Sequence, residues 1–181
     1  MRDRSRVSLV AVTLDDLRTV DAVFDDLTAY SMRVDGVPRR ADAASAFVTA
    51  LPPGCAPRNK HAFLARCDDT AIGLLDLIDG YPKAGTAFIG LLAIRQSAQG
   101  SGLGRMLCQA AERFARDTLQ AQSLRLAVVE TNPVLGFWTR MGFGPTGEIK
   151  PFQGERITTR AIGMEKQLRK HENPACEAGL A

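Results

Sequence analysis

A mixed α/β domain, one sheet wrapped by helices, is predicted by three features of this sequence. Strand-length apolar runs recur along the chain, amphipathic helix patterns interrupt them, and a glycine-rich turn joins a buried strand to one of those helices. The 181 residues suffice for one full core and not for two comfortable domains. With 45% apolar and 24% charged residues, a disordered body, a collagenous chain and a disulfide-stapled miniprotein are excluded. A single domain over residues 1–170 and a flexible tail over 171–181 are expected.

Val7–Val12 reads as a short buried strand. Thr13 then caps a helix, with Asp15 and Asp16 in its first turn, where the positive end of the helix dipole favours acids. Leu14, Leu17, Val20, Phe24 and Leu27 recur at steps of three and four and form its apolar face. The segment Thr28–Asn59 carries one further helix near Ala41–Leu51, ended by Pro52-Pro53-Gly54. His61–Cys67 and Ala71–Leu77 flank Asp68-Asp69-Thr70 as a hairpin. A turn-rich loop over Asp79–Gly85 leads to Thr86–Ile94, apolar on both faces and therefore central. The next helix spans Gly102–Leu119. Its core face holds Leu103, Met106, Leu107, Ala110 and Phe114, and its wet face Arg105, Gln109, Glu112, Arg113 and Arg116. Leu124–Val129 returns as a buried strand. Asn132-Pro133 opens a short helix that closes at Gly142, and strands near Gly147–Pro151 and Ile157–Met164 complete the sheet.

Charge and cysteine usage narrow the function classes. The net charge of +3 comes from interspersed signs, apart from short basic clusters, so no nucleic-acid partner is expected. No run of 18 apolar residues exists and the N-terminus lacks a signal-peptide pattern, so no membrane partner is expected. Cys55, Cys67, Cys108 and Cys176 are far apart and accompanied only by His61 and His171, which yields no metal-ligand cluster and points to a reduced, cytoplasmic setting.

The sharpest feature is Gln99-Gly100-Ser101-Gly102-Leu103-Gly104, between the central strand and an amphipathic helix. Glycines let a ligand approach the backbone closely, and the unpaired amides at a helix start attract an anion. Arg105 adds a positive charge. A phosphate or pyrophosphate site follows. A Walker loop would need a Gly-Lys-Ser/Thr ending that is missing, and the dinucleotide fingerprint would need glycine at Arg105 and an origin on the first strand.

The stretch Leu91–Gly104 resembles the acyl-CoA-binding motif of the GNAT superfamily of N-acetyltransferases, whose pattern Arg/Gln-x-x-Gly-x-Gly/Ala is met by Gln99, Gly102 and Gly104. The segment from Asn132 to Gly142-Phe143 resembles the family's second motif, so the likeness covers residues 7–168. It implies a central, mostly antiparallel mixed sheet splayed between its two central strands. It also implies acetyl-CoA as cosubstrate, without a metal. By the same resemblance, main-chain groups of Leu92, Ala93 and Ile94 pair with the pantetheine arm. Amides of Gln99, Gly100, Ser101, Gly102, Leu103, Gly104 and Arg105 hold the pyrophosphate, and Asn132 and Trp138 line the far side. Two positions depart from the pattern. Gln96 stands where the family often has Pro, and Trp138 where it commonly has the Tyr that protonates the leaving thiolate. An indole N–H can donate a hydrogen bond but cannot surrender its proton at neutral pH.

Acyl transfer to an amine needs a neutral amine, a polarised carbonyl and a leaving group. A backbone N–H near Ile94 is expected to polarise the carbonyl. Glu130 or Asp79 is expected to bind the cationic acceptor or relay its proton, with Asp76 as a rival, and Tyr81 to supply a hydroxyl to the thiolate. Cys108 packs, and Cys67 sits beside Asp68-Asp69, whose charges oppose a thiolate, so a cysteine acyl carrier is set aside. The expected function is acetyl transfer from acetyl-CoA to a primary amine of a small molecule or peptide by direct transfer in a ternary complex. The alternative is an acyl-CoA-binding or sensing protein that transfers nothing. A homodimer through Ile157–Met164, or through an open edge beside it, is a further expectation.

Overall fold

Residues 7–168 are described by a computed structural model. The expected tail, with His171 and Cys176, lies outside the described residues. In chain order the elements are β1 (Val7–Ala11), α1 (Leu17–Asp25), α2 (Thr28–Val34), α3 (Ala43–Thr49), β2 (Lys60–Cys67), β3 (Thr70–Asp79), β4 (Thr86–Ile94), α4 (Leu103–Arg113), β5 (Ser123–Val129), α5 (Leu135–Arg140), β6 (Gly144–Gln153) and β7 (Thr158–Gln167). The strands form one sheet in the order β1-β2-β3-β4-β5-β7-β6, antiparallel throughout except between β4 and β5.

Strand alternation distributes the apolar residues to two faces. On one, Ala87, Ile89 and Ile94 of β4 and Leu124, Leu126 and Val128 of β5 pack with Leu107, Cys108 and Ala111 of α4 and with Trp138 of α5. On the other, Leu64, Leu74 and Ala93 pack with Val20, Val23 and Phe24 of α1 and Ala43, Ala44 and Phe47 of α3. Leu107 is fully buried between α4 and the sheet. Leu107→Ala is therefore expected to destabilise the fold by about 2–5 kcal/mol. Chemical denaturation would read this as a lower midpoint at unchanged slope. A loss under about 1 kcal/mol would contradict this packing.

Several expectations change in detail. The segment after α1 holds two helices of seven residues each, α2 and α3, where one was predicted. The long helix ends as α-helix at Arg113 and continues through a π-turn over Phe114–Thr118. The short helix starts at Leu135, with Val134 at its N-cap, because the Val134 N–H bonds the Asn132 carbonyl and residues 132–134 turn before the helix begins. Its end is as predicted. Gly142 takes φ +90°, its N–H bonds the Thr139 carbonyl, the Phe143 N–H bonds the Trp138 carbonyl, and the two rings pack 5.2 Å apart. Strand β7 is paired on both sides, by β5 and β6, so it offers no edge to a second copy. The open edge beside it is β6, the sheet's other edge being β1, and β6 carries Pro145, Pro151 and charged Glu148 and Lys150, features that discourage edge pairing.

Candidate active site

The parallel pairing of β4 with β5 is short. It joins Thr86–Ile89 to Ser123–Leu126 and then ceases, so from Gly90 and Ala127 onward the two strands diverge. A cleft of about 1180 Å³ fills the gap and runs to the loop before α4. The divergence begins at a bulge. Leu91 opposes Asp76 and Ile89 opposes Leu77, so Gly90 is the extra residue.

Beyond the bulge the main-chain direction of β4 is settled by its partner. The Arg95 N–H bonds the Ile72 carbonyl, and a Cβ on Gly73 would strike the Ala93 carbonyl oxygen, so residues 93 and 95 face β3. Successive residues point their main-chain groups to opposite sides. Leu92 and Ile94 therefore present theirs to the cleft, while Ala93 contributes only its side chain there. The Ile94 carbonyl accepts from Gln99 Nε2 at 3.0 Å, which braces the glycine loop and leaves the Ile94 N–H open.

The loop is held at both ends. Ser97 Oγ donates to Asp26 at 2.5 Å and the Gln96 N–H to the Asp26 carbonyl at 3.1 Å, tying it to the end of α1. Ser101 Oγ bonds the Ala98 carbonyl. Gly100 and Gly102 adopt φ of +80° and +83°, and a Cβ on either would meet no atom within 4 Å. Gly102 is the N-cap of α4, whose first-turn amides lack intrahelical acceptors. The cleft reaches this helix start, where Gly100, Gly102, Gly104 and Arg105 line it. Gly104 differs, since a Cβ there would only touch Phe137 at 3.6 Å.

Of the residues expected to bind a ligand, Leu92, Ala93, Ile94, Gln99, Gly100, Gly102, Gly104, Arg105, Asn132 and Trp138 line the cleft. Ser101 turns to the Ala98 carbonyl and Leu103 packs on the core, so neither does. The expected catalytic groups are not brought there. Asp79 pairs with Ala87 at the closed end of β4, and Tyr81 sits edge-on to Phe88 at 5.3 Å, both at the opposite end of the sheet from the divergence. Glu130 is clamped by Arg160 at 2.5 and 3.1 Å, and that hydrogen-bonded pair holds its carboxyl below the usual range. Asp79 and Tyr81 lie at the closed end of the β4–β5 pair, whereas Glu130 follows β5 at the divergent end but is turned to the β7 side, where its N–H bonds the Arg160 carbonyl and its carboxylate the Arg160 guanidinium.

Other groups take their places. Of the two tyrosines, Tyr30 of α2 lines the cleft, its phenol pushed up to about 12 by burial and by Asp35. Asp76 lies behind Gly90, and a Cβ on that glycine would fall 2.5 Å from its Oδ2. Lys60 donates to the same oxygen at 2.7 Å with both side chains buried, while Oδ1 has no partner. Burial raises the Asp76 carboxyl above its ordinary value, against the pull of Lys60. Glu112, expected on the wet face, is half-buried in the cleft wall, where Lys166 donates to it at 2.6 Å and to the Met141 carbonyl at 2.7 Å. The Cys108 thiol is pushed up to about 12 by burial and then by Glu112, which keeps it protonated and inert. Among the described residues no group of His, Cys, Asp and Glu could hold a metal ion, and no helix is long and apolar enough to cross a membrane.

Residues 25–143 match the sequence profile of the Acetyltransferase (GNAT) family. The chain belongs to that family. The GNAT architecture extends to nearly the whole chain. An acetyltransferase from Thermus thermophilus superimposes with a TM-score of 0.72 at 27% identity, over 90% of this chain and 97% of that one. A spermidine N-acetyltransferase from Vibrio cholerae, in complex with CoA and spermine, does so with a TM-score of 0.72 at 20% identity, over 94% and 100%. A Bacillus subtilis acetyltransferase in complex with CoA gives 0.60 at 17%, over 91% and 99%. No curated protein matches by sequence. The expected GNAT fold, with its diverging central strands, is the fold of this acetyltransferase.

Proposed function

We propose that this protein is an N-acetyltransferase that moves an acetyl group from acetyl-CoA to a primary amine of a small molecule or peptide, by direct transfer in a ternary complex. One observation carries the reading: the free edge of β4 runs from Gly90 into a loop whose positive-φ glycines leave their Cβ positions empty beside a helix N-terminus. That cradle fits CoA. The main-chain groups of Leu92 and the Ile94 N–H accept the pantetheine arm as a strand would, the α4 amides and Arg105 take the pyrophosphate, and Asn132 and Trp138 form the far wall. When bound, acetyl-CoA supplies the activated acyl group as a thioester.

The chain's residues then do the rest. The Ile94 N–H polarises the acyl carbonyl. The acceptor ammonium loses one proton toward Asp76, behind Gly90, and its nitrogen bonds the acyl carbon while the C–S bond breaks. The second amine proton leaves with the thiolate, giving free CoA thiol and the amide. Inert Cys108 supports direct transfer over an acyl-cysteine. Trp138 favours a second reading, a CoA-ester binder without turnover, because its buried indole replaces an acid. Calorimetry with acetyl-CoA, ATP and NAD, joined to thiol release over a panel of amines, separates them. Micromolar binding of acetyl-CoA alone with amine-dependent thiol release is expected. Binding without release selects the second reading, and preference for ATP or NAD removes both.

A further inference from the structure

The cleft has two unlike halves. The half toward α4 and α5 holds the glycine loop, Arg105, Arg140 and the Glu112–Lys166 pair. The half toward α1–α3 is apolar, walled by Leu27, Val34, Leu91 and Ala93, with Ala127 and Val129 on the β5 side by strand alternation. Two charges bear on it. Arg33 of α2 lines it as an exposed guanidinium. Asp76, on the α1–α3 face of β3, does not line the cleft but lies against Gly90, which does: a Cβ on that glycine would fall 2.5 Å from its Oδ2, and its Oδ1 has no partner.

Arg33 is held over the cleft from several sides. The Thr131 hydroxyl, just past β5, donates to the Arg33 carbonyl. Two residues on, the Arg156 N–H of the β6–β7 turn bonds the Asp35 carbonyl at 2.7 Å, and a Cβ on Gly154 would strike the Val34 carbonyl. The backbone carrying Arg33 is thereby fixed to the strands that border the gap. Among the described residues, no carboxylate lines this half.

Resting on the N-acetyltransferase reading, we propose that the acceptor is an amine that also carries a carboxylate on an apolar body, the carboxylate paired with Arg33 and the ammonium lying over Gly90 above the Asp76 carboxylate. A guanidinium fork matches a carboxylate in two parallel hydrogen bonds. The ammonium end then faces the Asp76 side of the floor, where Lys60 holds Oδ2 and Oδ1 is left unpartnered, beside the free β4 edge where acyl transfer occurs. A polycation finds the reverse: a like charge at Arg33 and no acid along the wall.

Phenylalanine and its decarboxylated counterpart phenethylamine, with spermidine as the polycation, test this. Each is measured by thiol release with saturating acetyl-CoA and by calorimetric titration into the CoA-bound protein. The wild type is expected to favour phenylalanine by about tenfold or more, the worth of a charge-assisted pair. Arg33→Gln is expected to abolish the preference by raising the phenylalanine KM and Kd alone, and Arg33→Lys to restore part of it. Equal or better binding of phenethylamine or spermidine by the wild type overturns the inference, as does an equal effect of Arg33→Gln on both monoamines. Selective binding of phenylalanine without thiol release keeps the inference and removes the transfer reading instead.

Discussion

Gly102→Val is expected to weaken acetyl-CoA binding by about a hundredfold or more, the loss of one or two charge-assisted hydrogen bonds. The glycine sits at φ +83°, a conformation that costs an L-residue about 1–2 kcal/mol and a β-branched one more. No neighbouring atom blocks the added side chain, so the fold itself does not collide with it. The damage falls on the cradle: the peptide planes turn to relieve φ, the amides before α4 lose their aim, and the valine occupies the ligand's space. Gly104→Ala is the control. Its Cβ meets Phe137 at an ordinary 3.6 Å and lies inside α4, where Ala outranks Gly by about 0.5–1 kcal/mol. It is expected to keep binding and to melt higher. Calorimetry and thermal unfolding read both variants, and wild-type affinity in Gly102→Val would show that the glycine loop is no phosphate cradle.

Asp76→Asn is expected to lower kcat by about a hundredfold, the lower range for losing a proton acceptor, with acetyl-CoA affinity unchanged. In the proposed reaction Asp76 takes the acceptor's proton, and its signature is the pH profile. Its carboxyl is raised by burial, and only the ionised form accepts a proton. Activity should therefore fall as pH drops through a value above the ordinary 3.8, and the asparagine variant should lose that acid limb. Asp76→Glu should restore part of it. Lys60→Met removes the cation that partly offsets burial, and should move the limb to higher pH. Stability carries the opposite sign. A carboxyl raised in the folded state contributes stability that is fully present below the unfolded value and is lost as pH rises through the folded one. A flat rate profile in the wild type, or the same acid limb in Asp76→Asn, would remove Asp76 from the proton path.

Much of the frame is legible along the chain because it depends on near neighbours. Strand-length apolar runs mark β2–β5, the step of three and four marks α1 and α4, and Gly142 ends α5 through a cap built from Trp138 and Phe143. The glycine loop reads the same way, since positive φ and a helix start are local properties. Helix α2 escapes because seven residues give fewer than two turns, too few for a period, and Met32 on it is exposed. Tyr30 and Arg33 escape with it.

The acid and base side chains are where local reading ends. Asp79, Tyr81 and Glu130 are suggested by nearness in sequence to the right elements, yet strand direction puts the first two at the closed end of the sheet and Arg160 of β7 holds the third. Asp76 becomes distinctive only because a bulge on β4 puts a residue without a side chain against it and β2 delivers Lys60. Glu112 leaves the wet face of its helix for Lys166, 54 residues away. By itself the sequence determined the GNAT fold and the glycine-loop half of the cleft, through backbone conformations that a few adjacent residues dictate. The other half, with Arg33 on one wall and Asp76 against Gly90, was decided by the tertiary structure, because a charge's chemistry depends on what distant strands and helices bring against it.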